Sequence, residues 1–149
     1  MAGSTGSGKT YVASALGNRA CRLGHSVAYH RLSRLLEDLT LARADGSLRH
    51  LLRRLAKAEV LVLDDWLLRT LDSVQAQDVL DMLQDRAGVG ATVIVTQIPM
   101  AQWHGRIADP TLADAICDRL VHGSHRIELR GESQRKLRAT KPPTGEQVV

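Results

Sequence analysis

Phenylalanine is absent from this 149-residue sequence, and two Trp and two Tyr bring the aromatic content to only 3%. Any core must therefore be assembled from Leu, Val, Ile and Ala. Cysteine is almost absent. Cys21 and Cys117 stand alone without a C-x-x-C partner, which excludes a disulfide framework or a zinc ribbon and is the usage of a reducing, cytoplasmic compartment. No apolar run approaches the roughly 18 residues needed to cross a bilayer, and the N-terminus has no basic-then-apolar signal region, so no membrane partner is expected. The six histidines are scattered; His122 and His125 lie near Cys117 but lack metal-ligand spacing. No Ser-His-Asp or Cys-His arrangement stands out, and there is no repeat or low-complexity segment. Trp66 and Trp103 read as packing or interface residues.

What is present is ordinary for a globular chain of one domain: 44% hydrophobic, 24% charged, and a net charge of +4 that permits an anionic partner. Val12, Leu16, Ala20 and Leu23 recur at helical spacing, with Gly24 at the stop. Val27–Tyr29 is a short strand candidate. Leu32, Leu35, Leu36 and Leu39 form one helical face, and Leu48, Leu51, Leu52 and Leu55 a second after Asp45-Gly46. Val60–Leu63 is a continuous apolar run, as in a strand buried on both faces. Val74, Val79, Met82 and Leu83 mark another helix closed by Gly88 and Gly90, and Ala91–Val95 a second buried strand. Asp109-Pro110 starts a helix through Leu112, Ile116 and Leu120, because proline suits the first helical position. Arg126–Leu129 alternates as an edge strand does. Strands alternating with helices predict an α/β fold with a mostly parallel sheet.

The chemistry concentrates in three places. Gly3-Ser4-Thr5-Gly6-Ser7-Gly8-Lys9-Thr10 fits G-x-x-x-x-G-K-[ST]. Glycines let successive backbone N–H groups turn inward as an anion nest, and the helix that follows adds its positive end. Lys9 then supplies charge to the β- and γ-phosphates of ATP, and the Thr10 hydroxyl can ligate Mg²⁺. Asp64 and Asp65 follow the four-residue apolar strand, which delivers them to the carboxyl edge of the sheet, where α/β proteins bind ligands. Asp64 is the candidate for holding Mg²⁺ through water, and Asp65 for orienting or deprotonating the attacking water. Without the phosphate loop, the same two acids would read equally well as caps of the next helix. Thr96 and Gln97 end the next strand and can hydrogen-bond the γ-phosphate or the water, although a plain strand-to-loop transition looks alike. Arg119 and Arg135 are candidate γ-phosphate cations.

These motifs, together with LVLDDW at Leu61–Trp66, VTQIP at Val95–Pro99 and the stretch from Asp109 to Lys136, resemble the IstB-like ATP-binding proteins of insertion sequences and their helicase-loader relative DnaC, both AAA+ ATPases. The resemblance runs from Gly3 to about Arg138. It implies a three-layer P-loop NTPase of AAA+ type, a parallel sheet flanked by helices. Residues 1–138 would form the domain and 139–149 a disordered basic tail. Asp64 and Asp65 match the Walker B acids, Thr96 or Gln97 the first sensor, Arg119 the finger offered to a neighbouring subunit, and Arg135 the second sensor. In every such fold a strand leads into the phosphate loop, yet only Met1 and Ala2 precede Gly3 here. The expected sheet therefore lacks its first strand, which in AAA+ proteins lies between the last strand and the one ending at Thr96. About five apolar residues at ~1.5–3 kcal/mol each rival the ~5–15 kcal/mol net stability of a domain. The expectation is a fragment or decayed product with poor nucleotide affinity.

The resemblance further implies an ATP-driven helper of a DNA transposase that self-assembles on duplex DNA as a homo-oligomer. Arg31–Lys57 holds seven basic and three acidic residues, and Arg126–Lys141 six basic and two acidic. These are possible phosphate-tracking faces, and without a base-reading module the binding would be sequence-nonspecific and salt-sensitive. The rival readings are a helicase loader, a small-molecule or nucleotide kinase using the same loop, and a non-catalytic remnant.

Overall fold

The computed structural model describes residues 1–130, so Arg135, the boundary at 138 and the tail 139–149 lie outside the described residues. A strand β1 (Ala2–Gly3) leads through the phosphate loop into α1 (Lys9–Arg22). Then come β2 (Val27–Arg31), α2 (Leu32–Asp45), α3 (Leu48–Lys57) and β3 (Val60–Asp64). The rest is α4 (Ser73–Arg86), β4 (Ala91–Ile94), two short 3₁₀ turns, α5 (Pro110–Val121) and β5 (Glu128–Leu129). All strand pairs are parallel: β2-β3-β4 in one block and β1-β5 in another. Expected element types hold throughout, with the ends of β2, β4 and β5 shifted by one or two residues.

The first strand requires a correction. Ala2 and Gly3 stand where a gap was expected, paired with Glu128 and Leu129 on one side, while Ala2 bridges Thr96 on the other. The Ala2 N–H donates to Ile127 O (2.8 Å), and the Thr96 N–H to Met1 O (3.0 Å). The Met1 amino group donates to Ile94 O (2.7 Å). This two-residue strand meets its neighbours only at the carboxyl edge. Among the described residues β4 has no strand partner on this side ahead of Ile94. Accordingly no residue of β4 is buried, whereas four of the five residues of its neighbour β3 are.

Period-two alternation divides β3 between two layers. Leu61 and Leu63 face a core shared with α2, α3, α4 and α5, in which Leu35, Leu39, Leu55, Leu71 and Met82 are fully buried. Val62 faces the other side, where Ala13 of α1 and Val95 complete a small cluster. Trp66 and Trp103 do the work of the absent phenylalanines, meeting edge-on at 5.9 Å inside the larger core. Helix α1 also departs from expectation: its buried face is Lys9, Ala13 and Gly17, and Leu16 and Leu23 of the apolar stripe are exposed. Two small residues four positions apart let α1 approach the sheet closely, Ala13 at Val62 of β3 and Gly17 at Val27 of β2.

Helix starts follow their caps. Asp72, not Asp64 or Asp65, caps α4, in a reciprocal box with Gln75. Asp109 accepts from the N–H groups of Thr111 and Leu112 with Pro110 at the first position of α5, as expected.

Candidate nucleotide-binding site

The phosphate loop, the end of β3 and the segment after β4 enclose an open cleft of about 820 Å³ at the carboxyl edge of the sheet. Gly6 and Gly8 adopt φ of 82° and 88°, a left-handed backbone that a residue with a Cβ takes only at a cost. These turns are what allow the loop amides to gather on one side. Lys9 begins α1 almost wholly buried. Its ammonium donates to Gly3 O (2.7 Å) and Ser4 O (2.6 Å) across the loop mouth. Burial pushes its pKa down, and the nearby charges of Asp64 and Asp65 oppose that shift.

Asp64 lies on the α1 side of β3, because two residues earlier Val62 does so. Its carboxylate is buried and heavily bonded. Oδ2 accepts from Thr10 Oγ1 (2.9 Å) and from the Tyr29 hydroxyl (2.5 Å), and Oδ1 from the Asp65 N–H (2.8 Å). The last residue of the phosphate loop and the strand acid, 54 positions apart in sequence, are thus in direct contact. Burial and the Asp64 carboxylate push the Tyr29 phenol up to about 12. Asp65 turns away at a left-handed φ of 55°, with Arg31 Nε 4.0 Å from its Oδ2.

Thr96 and Gln97 both line the cleft, but their side chains do different things. The Thr96 hydroxyl is buried, donating to Trp66 O (2.9 Å) and accepting from the Ile98 N–H (2.9 Å). It ties the end of β4 to the loop after β3. Gln97 instead lies against the phosphate loop, its Oε1 accepting from Thr5 Oγ1. Arg119 does not line the cleft; it donates to Ala115 O of its own helix. Two residues of the site were not foreseen, Tyr29 and Arg31. The signal for both was parallel register: Tyr29 pairs with Val62 and Arg31 with Asp64, so they share the face of the acid.

The donor set suits magnesium bound to a triphosphate. Thr10 and Asp64 are hard oxygen donors placed together. Among the described residues, no group of three or more His, Cys, Asp or Glu could hold a metal ion alone. Mg²⁺ matches such a site, being held by one or two protein oxygens plus phosphate and water. Among the described residues, no helix is long and apolar enough to cross a membrane.

Known proteins bear on the site at this point. The chain is 48% identical over 138 residues to the insertion sequence ATP-binding protein y4uH of Sinorhizobium fredii, covering 93% of this chain and 56% of that one. It is 33% identical over 135 residues to the IS21 ATP-binding protein of Pseudomonas aeruginosa, covering 91% and 51%. The chain thus spans about half the length of the curated relatives it matches. A crystal structure of DnaI superposes with a TM-score of 0.76 at 23% identity, over 86% of this chain and 70% of that one. AMPPCP-bound DnaA from Aquifex aeolicus gives 0.73 at 17% identity, over 90% and 41%. At these identities the likeness establishes the fold, that of the AAA+ P-loop domains. Because the model of the family described as IstB-like ATP binding protein matches residues 1–141, phosphate loop and strand acids included, the chain belongs to the IstB-like ATP-binding proteins.

Proposed function

We propose that the cleft binds and hydrolyses ATP with magnesium, and that ATP drives copies of the protein to assemble on duplex DNA in the service of a transposase. The observation that carries the site chemistry is the 2.9 Å contact between Thr10 and Asp64. The loop amides receive the phosphates, Lys9 leaves its two carbonyls for the β- and γ-phosphates, and Thr10 and Asp64 hold the metal. Bound magnesium would neutralise charge developing on the transferred phosphoryl group. Asp65, which lines the cleft beside Arg31, orients the water. Of the two candidate sensors, Gln97 is the one with a side chain facing the loop. The insertion-sequence names of the relatives support the transposase partner over a replicative helicase, and a cytoplasmic setting goes with it. Arg119, exposed on α5, is available to complete a neighbour's site, and Arg135 remains the candidate second sensor.

DNA contact is assigned to α3. Arg49, His50, Arg53, Arg54 and Lys57 are all exposed there. Among the described residues, none of its three arginines or Lys57 forms an ion pair with an acid. Duplex binding with ATP present should weaken steeply with salt, the logarithmic slope being about 0.9 per phosphate contacted. Replacing Arg49, Arg53 and Lys57 together by alanine should flatten that slope by about two to three across unrelated sequences. Sedimentation with duplex DNA and ATP tests the whole reading. An ATP-dependent rise in the mass of the complex is expected, and an ATP-independent, salt-indifferent association would contradict it.

The two sensor candidates separate by a paired measurement. Thr96→Val leaves the Trp66 carbonyl and the Ile98 N–H without their partner and should lower stability by about 1–3 kcal/mol. Gln97→Ala should leave melting unchanged and slow ATP hydrolysis. The reverse pattern would restore Thr96 as the sensor.

A further inference from the structure

Asp64 is 3% exposed and takes three hydrogen bonds. Thr10 and the Asp65 backbone are the two that any phosphate-loop site with a strand acid would supply. The third comes from Tyr29, on the neighbouring strand β2. Tyr29 is 38% exposed, and its hydroxyl, with Ser14 also at hand, donates to the acid. A phenyl ring could stand opposite Val62, its register partner, equally well; only the hydroxyl reaches Oδ2. That oxygen then has both acceptor sites filled, by Thr10 and Tyr29, while Oδ1 has one backbone donor and keeps a site free.

We propose that Tyr29 is a positioning residue of the nucleotide site, its hydroxyl clamping the Asp64 carboxylate against Thr10 so that the free acceptor of Oδ1 is left for the hydration shell of a bound magnesium. This rests on the reading that the cleft takes ATP with magnesium. A carboxylate held by two donors in place of three gains rotational freedom about its side chain. Loss of such an outer partner weakens metal affinity about 10–100-fold in general. Because Thr10 and the Asp65 N–H remain, the lower end of that range applies here.

The test is the magnesium dependence of nucleotide binding by the whole chain, read with a fluorescent ATP analogue rather than by turnover. Tyr29→Phe should need about tenfold more Mg²⁺ for half-saturation. Its affinity for the analogue in EDTA should stay within about twofold, and Tyr29→Phe should add nothing in an Asp64→Asn background. Unchanged or tighter magnesium dependence would overturn the proposal. So would an equal loss of affinity with and without Mg²⁺, which is what a merely structural tyrosine would give. Asp64→Asn separates the two levels of inference. If it shifts the magnesium dependence and Tyr29→Phe does not, the tyrosine proposal alone fails; if Asp64→Asn has no effect either, the reading of the cleft fails with it.

Discussion

Lys9→Ala is expected to weaken ATP binding in the presence of magnesium by about 2–5 kcal/mol, or roughly thirtyfold to several thousandfold in Kd. The ammonium is already largely stripped of water, with burial pulling its pKa down. Among the described residues its hydrogen bonds go to two neutral carbonyls, of Gly3 and Ser4, with a longer contact to Ser7. A triphosphate arriving in the cleft therefore meets a cation whose desolvation has mostly been incurred in folding. Alanine removes that cation but keeps the loop glycines and the start of α1, so melting should move little in the absence of nucleotide. Titration calorimetry checks the affinity. A Kd within about threefold of the parent would mean that the loop does not bind phosphate through this residue.

Arg86→Met should cost about 3 kcal/mol of stability or more, at about 1–3 kcal/mol for each buried carbonyl that loses its donor, and lower the melting temperature by roughly 6 °C or more for a chain of this size. Arg86 is 2% exposed on α4 and uses its donors across three elements. Nη1 donates to Leu55 O (2.6 Å) and Ala58 O (2.7 Å), Nη2 to Ala91 O (2.7 Å), and Nε to Thr92 Oγ1 (3.1 Å). It thereby joins the end of α3, the turn into β3 and the start of β4. Gly90 makes room for it: a Cβ there would lie 2.8–3.0 Å from Glu59 O, Ala58 O and Arg86 Nη2. Methionine keeps an unbranched apolar stem but ends short of the guanidinium, so the Leu55, Ala58 and Ala91 carbonyls lose this donor. Arg86→Lys should recover only part of the loss, since one nitrogen cannot reach acceptors that the guanidinium fork spans. A melting temperature within about 2 °C of the parent for Arg86→Met would show that water replaces the network.

Some of this was legible in the sequence and some was not. The phosphate loop, the acid at the end of β3 and the Asp109-Pro110 helix start are local signals, each carried by a few adjacent residues, and each appears in the fold. Arg86 gave no such signal, because an arginine in the last turn of a helix reads as surface. Its role depends on a carbonyl 31 positions away. The buried face of α1 was misread for a related reason. Apolar periodicity pointed to Leu16 and Leu23, but the close approach to the sheet selects Ala13, clustered with Val62 of β3, and Gly17, beside Val27 of β2. Tyr29 and Arg31 needed the parallel register of β2 on β3, which no period within one strand reveals. The inward turn of the Thr96 hydroxyl depends on the loop after β3, where Asp65 and Leu67 take left-handed φ of 55° and 52°.

The phosphate loop hangs from Ala2 and Gly3, and among the described residues Met1, Ala2 and Gly3 carry the backbone bonds that join β5 to the three-strand block near Ile94 and Thr96. A ligand that grips the loop on one side and Asp64 on the other therefore acts as a rivet between two separately hydrogen-bonded pieces. Occupancy of the cleft and cohesion of the sheet would then be linked equilibria. Each bound phosphate tightens the joint, and each slackening of the joint releases the ligand.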